Sequence, residues 1–174
     1  MNLPNKLTMG RIFAIPVFIV VFLMGYRYVA TVIFILAAIT DMLDGKIARK
    51  YNLVTNFGKI MDPLADKILV YSAFCLMIPD LVPGWMLIII LAREFTIAGM
   101  RTVAASEGIV IAAGMSGKIK TVLQMIAVPM LLLVPLLTNI YQENMGAGFL
   151  SQELYHAYVI AADGFLWASL VMTV

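Results

Sequence analysis

Four aspartates, Asp41, Asp44, Asp62 and Asp66, lie within or at the ends of long apolar runs. Inserting an aspartate at the centre of a membrane helix costs about 2.5–3.5 kcal/mol, so four carry an upper bound of ~10–14 kcal/mol. No structural benefit of that size is evident, and carboxylates inside membrane segments mark functional sites. Asp41 and Asp44 are three residues apart, and Asp62 and Asp66 are four apart, so each pair shares one helix face. With the two runs taken as consecutive antiparallel helices, 28–50 and 58–79, both pairs reach a similar depth and face each other. Like charges so placed would be driven to protonate unless cations lie between them. No histidine or cysteine accompanies them, and an oxygen-only donor set suits hard ions: Mg²⁺, Mn²⁺ or Ca²⁺.

The residues between the two pairs suit phosphate. Gly45 follows Asp44 directly, and a glycine within a helix costs stability, which a ligand approaching the backbone would justify. Ala48 keeps that face small, Arg49 offers a guanidinium fork for phosphate oxygens, and Thr55 and Gly58 add a hydroxyl and bare backbone. Metal ions, a cation and close backbone are the requirements of phosphoryl transfer. A second basic group, Arg93, Arg101, Lys118 and Lys120, follows further along. Arg93, preceded by Ile88-Ile89-Ile90-Leu91-Ala92, requires a partner. Glu94, adjacent in sequence, is expected to point elsewhere, so the expected partner is a phosphate. A small anionic ligand is therefore favoured at this second group.

These residues must be positioned by elements that lie in lipid. The 174 residues are 63% hydrophobic and 13% charged, with a mean hydropathy of +0.98, too little polar surface for a soluble domain. The net charge of +2 gives no reason to expect a nucleic-acid partner. The expected fold is all-α, a single polytopic membrane domain over 1–174 whose six transmembrane helices run at about 10–26, 28–50, 58–79, 84–107, 118–138 and 155–174. Pro79 to Gly84 reads as a tight turn and Gly114 to Gly117 as a break before the fifth span, while Pro16, Pro129 and Pro135 would kink their helices. The start, with Lys6 and Arg11 before an apolar run, reads as a retained first span rather than a cleaved leader. Eleven of the twelve basic residues fall on one side of this arrangement, Arg27 being the other. That asymmetry places both termini and the charged site at the cytoplasmic face of the inner membrane. Tyr26, Tyr28, Trp85, Tyr155 and Tyr158 lie near span ends, as interfacial aromatics do; His156 reads as an anchor, and Asp163 has no assigned role.

The string Asp41-Met-Leu-Asp44-Gly45-Lys-Ile-Ala48-Arg49, eight further residues, and Gly58-Lys-Ile-Met-Asp62-Pro-Leu-Ala-Asp66 resembles the signature of the CDP-alcohol phosphotransferase family. Every signature position is filled. The likeness extends to the six-span layout and the opening Pro4-Asn5-Lys6-Leu7-Thr8-Met9-Gly10-Arg11. It implies that Asp41, Asp44 and Asp62 ligate two Mg²⁺ or Mn²⁺ ions bridging the pyrophosphate of a CDP-linked lipid. Asp66 would touch a metal and act as general base on the acceptor hydroxyl. Gly45, Arg49, Thr55 and Gly58 would line the CDP site, with Asn5 and Thr8 close to the cytidine. The family also implies a homodimer. Arg93-Glu94-Phe95 and Gly117-Lys118-Ile119-Lys120-Thr121 resemble the branch that joins CDP-diacylglycerol to sn-glycerol 3-phosphate, giving phosphatidylglycerophosphate and CMP. Arg93, Arg101, Lys118 and Lys120 would then bind the acceptor phosphate; these charges favour an anionic acceptor over serine, choline or ethanolamine, and by themselves suit an inositol phosphate equally. Two rival classes fit less well. An ion-coupled transporter would place acids at the midplane of repeated halves, and terpene-type synthases gather theirs on soluble helices.

Overall fold

A computed structural model describes residues 3–50, 56–108, 115–143 and 152–173, with side chains described at 8–40, 61, 64–108, 115, 117, 119–142 and 152–173. Among these residues the secondary structure is six α-helices: α1 Leu3–Leu23, α2 Arg27–Lys50, α3 Asn56–Leu76, α4 Gly84–Ser106, α5 Met115–Glu143 and α6 Gln152–Val171. The shortest has 20 residues, about 30 Å of helix, the thickness of a hydrocarbon core. Composition separates them further. Ile119–Gln142 and Gln152–Val171 are both long and apolar enough to cross a membrane, and Thr8–Leu23 and Arg27–Thr40 are shorter apolar stretches. α4 departs from the expected apolar span because Arg93, Glu94 and Arg101 fall within it. The fifth helix also starts earlier than expected. Gly117 lies in its first turns rather than in a break, where a helix does not yet depend on its own amide donors.

The core follows from helical periodicity. On α1 the buried positions are Thr8, Arg11, Ile15 and Phe18; on α2 they are Ala30, Thr31, Phe34 and Ala37. α3 contributes Leu69, Ala73 and Phe74, with Met77 just past its end, and α5 contributes Lys120, Gln124, Val128, Leu131 and Leu132. Each stripe recurs every three or four residues, in places with two neighbours sharing a turn. α3 is central, packing against α1, α2, α4 and α5, while α6 packs on α5. Phe18 and Phe34 meet at 6.0 Å between ring centroids, joining α1 to α2. Their connecting turn is set by Gly25 at φ 86°, a conformation that only glycine adopts without strain. Tyr158 donates to the Met130 carbonyl at 3.0 Å, and Tyr141 stacks on Tyr155, tying α6 to α5. Phe13, Val17, Leu36, Ile88 and Ile160 point outward and are exposed. An exterior of that kind suits lipid.

Candidate active site

Three of the buried stripes turn polar toward one end of the bundle, and the site is built there. Arg11 occupies a core position of α1, one turn after Thr8 and one before Ile15. Its Nη1 donates to Asp66 Oδ1 on α3 at 2.7 Å, with the arginine side chain fully buried and the aspartate 22% exposed. A charge-assisted hydrogen bond of this length is among the stronger polar contacts a protein makes, and it fixes Asp66 on the wall of the interior. Thr8 is itself buried, at 1% exposure.

A second polar centre lies beside the first. Glu94, four residues beyond the buried Ile90 on α4, accepts from Lys67 on α3 at 2.8 Å and from Lys120 on α5. Arg93 Nη1 stands 3.9 Å from the same carboxylate, so Glu94 does not point away from its neighbour as the sequence led us to expect. Lys120 is almost wholly buried, a position a lysine holds only with a partner. Glu94 supplies that partner and so ties α3, α4 and α5 together.

The cavities around these two centres form a series. An apolar groove of about 580 Å³ lies between α2, α3 and α5, lined by Phe34, Ala38, Met125 and Pro129, with Asp66 at its wall. A small polar cavity of about 30 Å³ shares Asp66 and is enclosed by Lys67, Tyr71, Glu94, Lys120 and Gln124. An open cleft of about 510 Å³ follows, lined by Lys67, Arg93, Arg101 and Lys120 around Glu94. Thr121 borders all three. A greasy groove and the small polar cavity thus share the Asp66 carboxylate, and the small cavity in turn adjoins the basic cleft, an arrangement that can bring a lipid and a small anion together.

The expected site residues divide by what the structure describes. Asp66, Arg93, Arg101 and Lys120 gather around the connected cavities, and Thr8 lies one turn from Arg11. The side chains of Asn5, Asp41, Asp44, Arg49, Asp62 and Lys118, the surroundings of Gly45 and Gly58, and Thr55 altogether lie outside the described residues. Helical register still places some of them. Positions 41 and 44 on α2 continue the stripe Ala30-Phe34-Ala37, position 62 on α3 lies one turn before Asp66, and α2 packs against α3. Among the described side chains no three acidic, histidine or cysteine groups cluster. The donor chemistry of the aspartate set, oxygen throughout, fits a hard divalent ion. Arg11, Lys67, Glu94 and Gln124 were not expected here. Their signal was in the pattern, since positions 11, 94 and 124 fall on apolar stripes where a polar residue needs a reason.

The model of the CDP-alcohol phosphatidyltransferase family matches residues 1–174. A Bacillus subtilis protein named CDP-diacylglycerol–glycerol-3-phosphate 3-phosphatidyltransferase is 47% identical over 148 residues, covering 76% of this chain and 77% of its own length. A protein of the same name from Rickettsia felis is 44% identical over 136 residues, covering 76% and 75%. Another, from Salmonella paratyphi A, is 36% identical over 177 residues, covering 97% and 91%.

Proposed function

We infer the reaction from descent and geometry together: this chain belongs to the CDP-alcohol phosphatidyltransferase family, and it transfers a phosphatidyl group from CDP-diacylglycerol to sn-glycerol 3-phosphate. The products are phosphatidylglycerophosphate and CMP. The relatives carry that reaction in their names. The observation that supports it most directly is Asp66 standing where the apolar groove and the small polar cavity meet.

In this scheme the acyl chains of the donor lie in the groove between α2, α3 and α5, open toward lipid. The acceptor enters the basic cleft, where Arg93 and Arg101 bind its phosphate and Lys67 and Lys120 raise the local positive potential. Asp66 accepts the proton of the acceptor hydroxyl, held in place by Arg11. The acceptor oxygen attacks the phosphorus bearing the diacylglycerol; a new P–O bond forms there, the P–O bond to CMP breaks, and CMP leaves. Asp41, Asp44, Asp62 and Asp66 would hold two Mg²⁺ or Mn²⁺ ions, which when bound neutralise the pyrophosphate charge and stabilise the leaving CMP. Gly45, Arg49, Thr55 and Gly58, with Asn5 and Thr8, border the CDP. All six helices span the inner membrane, the site faces the cytoplasm, and the chain pairs as a homodimer.

Purified full-length protein in detergent, given CDP-diacylglycerol and a panel of alcohols, tests the scheme. CMP release should require Mg²⁺ or Mn²⁺, stop with a chelator, and be fastest with sn-glycerol 3-phosphate. Faster turnover of inositol phosphate would keep the anion cleft and change the product; faster turnover of serine or free glycerol would remove the cleft's role.

A further inference from the structure

Gln124 stands on the buried stripe of α5, one turn after Lys120, at 3% exposure. Its Nε2 has no hydrogen-bond partner among the described residues, although a buried amide donor left unpaired is costly and rare. Its side chain borders the small polar cavity whose wall also includes Asp66. At about 30 Å³, that cavity has room for one hydroxyl-sized group. The cavity adjoins the basic cleft through Lys67, Glu94, Lys120 and Thr121. A molecule with its phosphate in the cleft would thus extend its other end toward Asp66 and Gln124.

We propose that Gln124 determines acceptor specificity by donating from Nε2 to the hydroxyl next to the one Asp66 deprotonates. In sn-glycerol 3-phosphate this is the C2 hydroxyl, which lies beside the attacking C1 oxygen. The proposal rests on the reaction given above and adds to it the group that tells a glycerol unit from a plain alcohol. A hydroxyl in this place completes the amide's hydrogen bonding; an acceptor without it leaves the donor buried and unpaired. Selectivity of this kind is stronger than an apolar pocket provides, because the penalty falls on the protein's own polar group.

The test compares sn-glycerol 3-phosphate with 3-hydroxypropyl phosphate, which lacks only the C2 hydroxyl, in the wild type and in Gln124→Met and Gln124→Leu. CMP release gives kcat/KM for each acceptor. The ratio of the two within one preparation is independent of how much of that preparation is folded. In the wild type the ratio should favour glycerol 3-phosphate by about 5- to 150-fold. In both variants it should fall to near unity, chiefly because glycerol 3-phosphate becomes poorer. Equal losses on both acceptors, with the ratio unmoved, would overturn the assignment of Gln124 while leaving the reaction in place. A wild type that uses neither acceptor but turns over another alcohol would overturn the reaction and this assignment with it.

Discussion

Replacing Arg11 by methionine keeps a long unbranched stem in the core of α1 and deletes the guanidinium that holds Asp66. The pair is asymmetric: the arginine side chain is fully buried and the aspartate is 22% exposed at a separation of 2.7 Å. Exposed ion pairs contribute at most about 1 kcal/mol, whereas removing one partner of a fully buried pair costs about 3–5 kcal/mol. Partial access of water to Asp66 places the expected loss between these, at about 2–3 kcal/mol. The clean measure is a double-mutant cycle with Arg11→Met, Asp66→Asn and both together, each unfolded by SDS titration in mixed micelles. The coupling should be about 2 kcal/mol, because the asparagine gains little from the arginine and the methionine leaves the carboxylate alone. CMP release should fall about 10-fold or more in Arg11→Met, a share of the 10²–10⁴ that a positioned base contributes. Arg11→Lys should recover part of the stability by restoring charge without the fork. Single effects that add to the double within ~0.5 kcal/mol would show that the two groups are not coupled, and Arg11 would then be a packing residue only.

Asn at Asp41, Asp44 or Asp62 should abolish metal-dependent turnover in folded protein, whereas Asp66→Asn should still bind the CDP-lipid with metal and lose the chemical step; substantial activity in any of the first three would refute the metal assignment. Glu94→Gln should release Lys67 and Lys120 together and destabilise the protein by about 2–4 kcal/mol in the same SDS titration, well beyond Lys67→Met, whose lysine is 43% exposed; equal effects would mean that Lys120 does not depend on Glu94. Arg93→Ala should raise the glycerol 3-phosphate KM and lower kcat/KM by about 10- to 150-fold while sparing CDP-lipid affinity, with Arg101→Ala weaker because Arg101 is exposed; a loss shared by the lipid would move these arginines out of the acceptor site. In a Cys75→Ser background, since Cys75 is exposed, cysteines at Asn52 and Ser116 should react with impermeant reagents only from the cytoplasmic side and one at Asn144 only from outside. Labelling of Asn52 from outside would invert the topology.

The helices were legible in the sequence because a long apolar run must satisfy its own backbone wherever water is excluded, and a helix does so within the run. Each of the six expected segments has a helix, and the boundaries moved by only a few residues except at the start of α1 and the end of α5. The aspartate pairs stood out in the sequence because charge in an apolar run has no bland explanation and their spacing fixes a common face; the side chains of Asp41, Asp44 and Asp62 lie outside the described residues. The family signature followed from those positions, and whole-chain family membership was borne out. The partners were not legible. Periodicity says that Arg11, Glu94 and Gln124 lie on inward faces, but not which helix stands opposite or at what height. Fifty-five residues separate Arg11 from Asp66, and twenty-six separate Glu94 from Lys120. Arg11 therefore read as one of several orientation charges, and Glu94 as a neighbour pointing away. Only the packing of α1, α4 and α5 around α3 turned an orientation charge into the clamp on Asp66, and a solitary glutamate into the hub of two lysines. The chain encodes which face each side chain occupies locally, through the 3.6-residue turn; it encodes who meets whom only through the collective burial of every stripe at once.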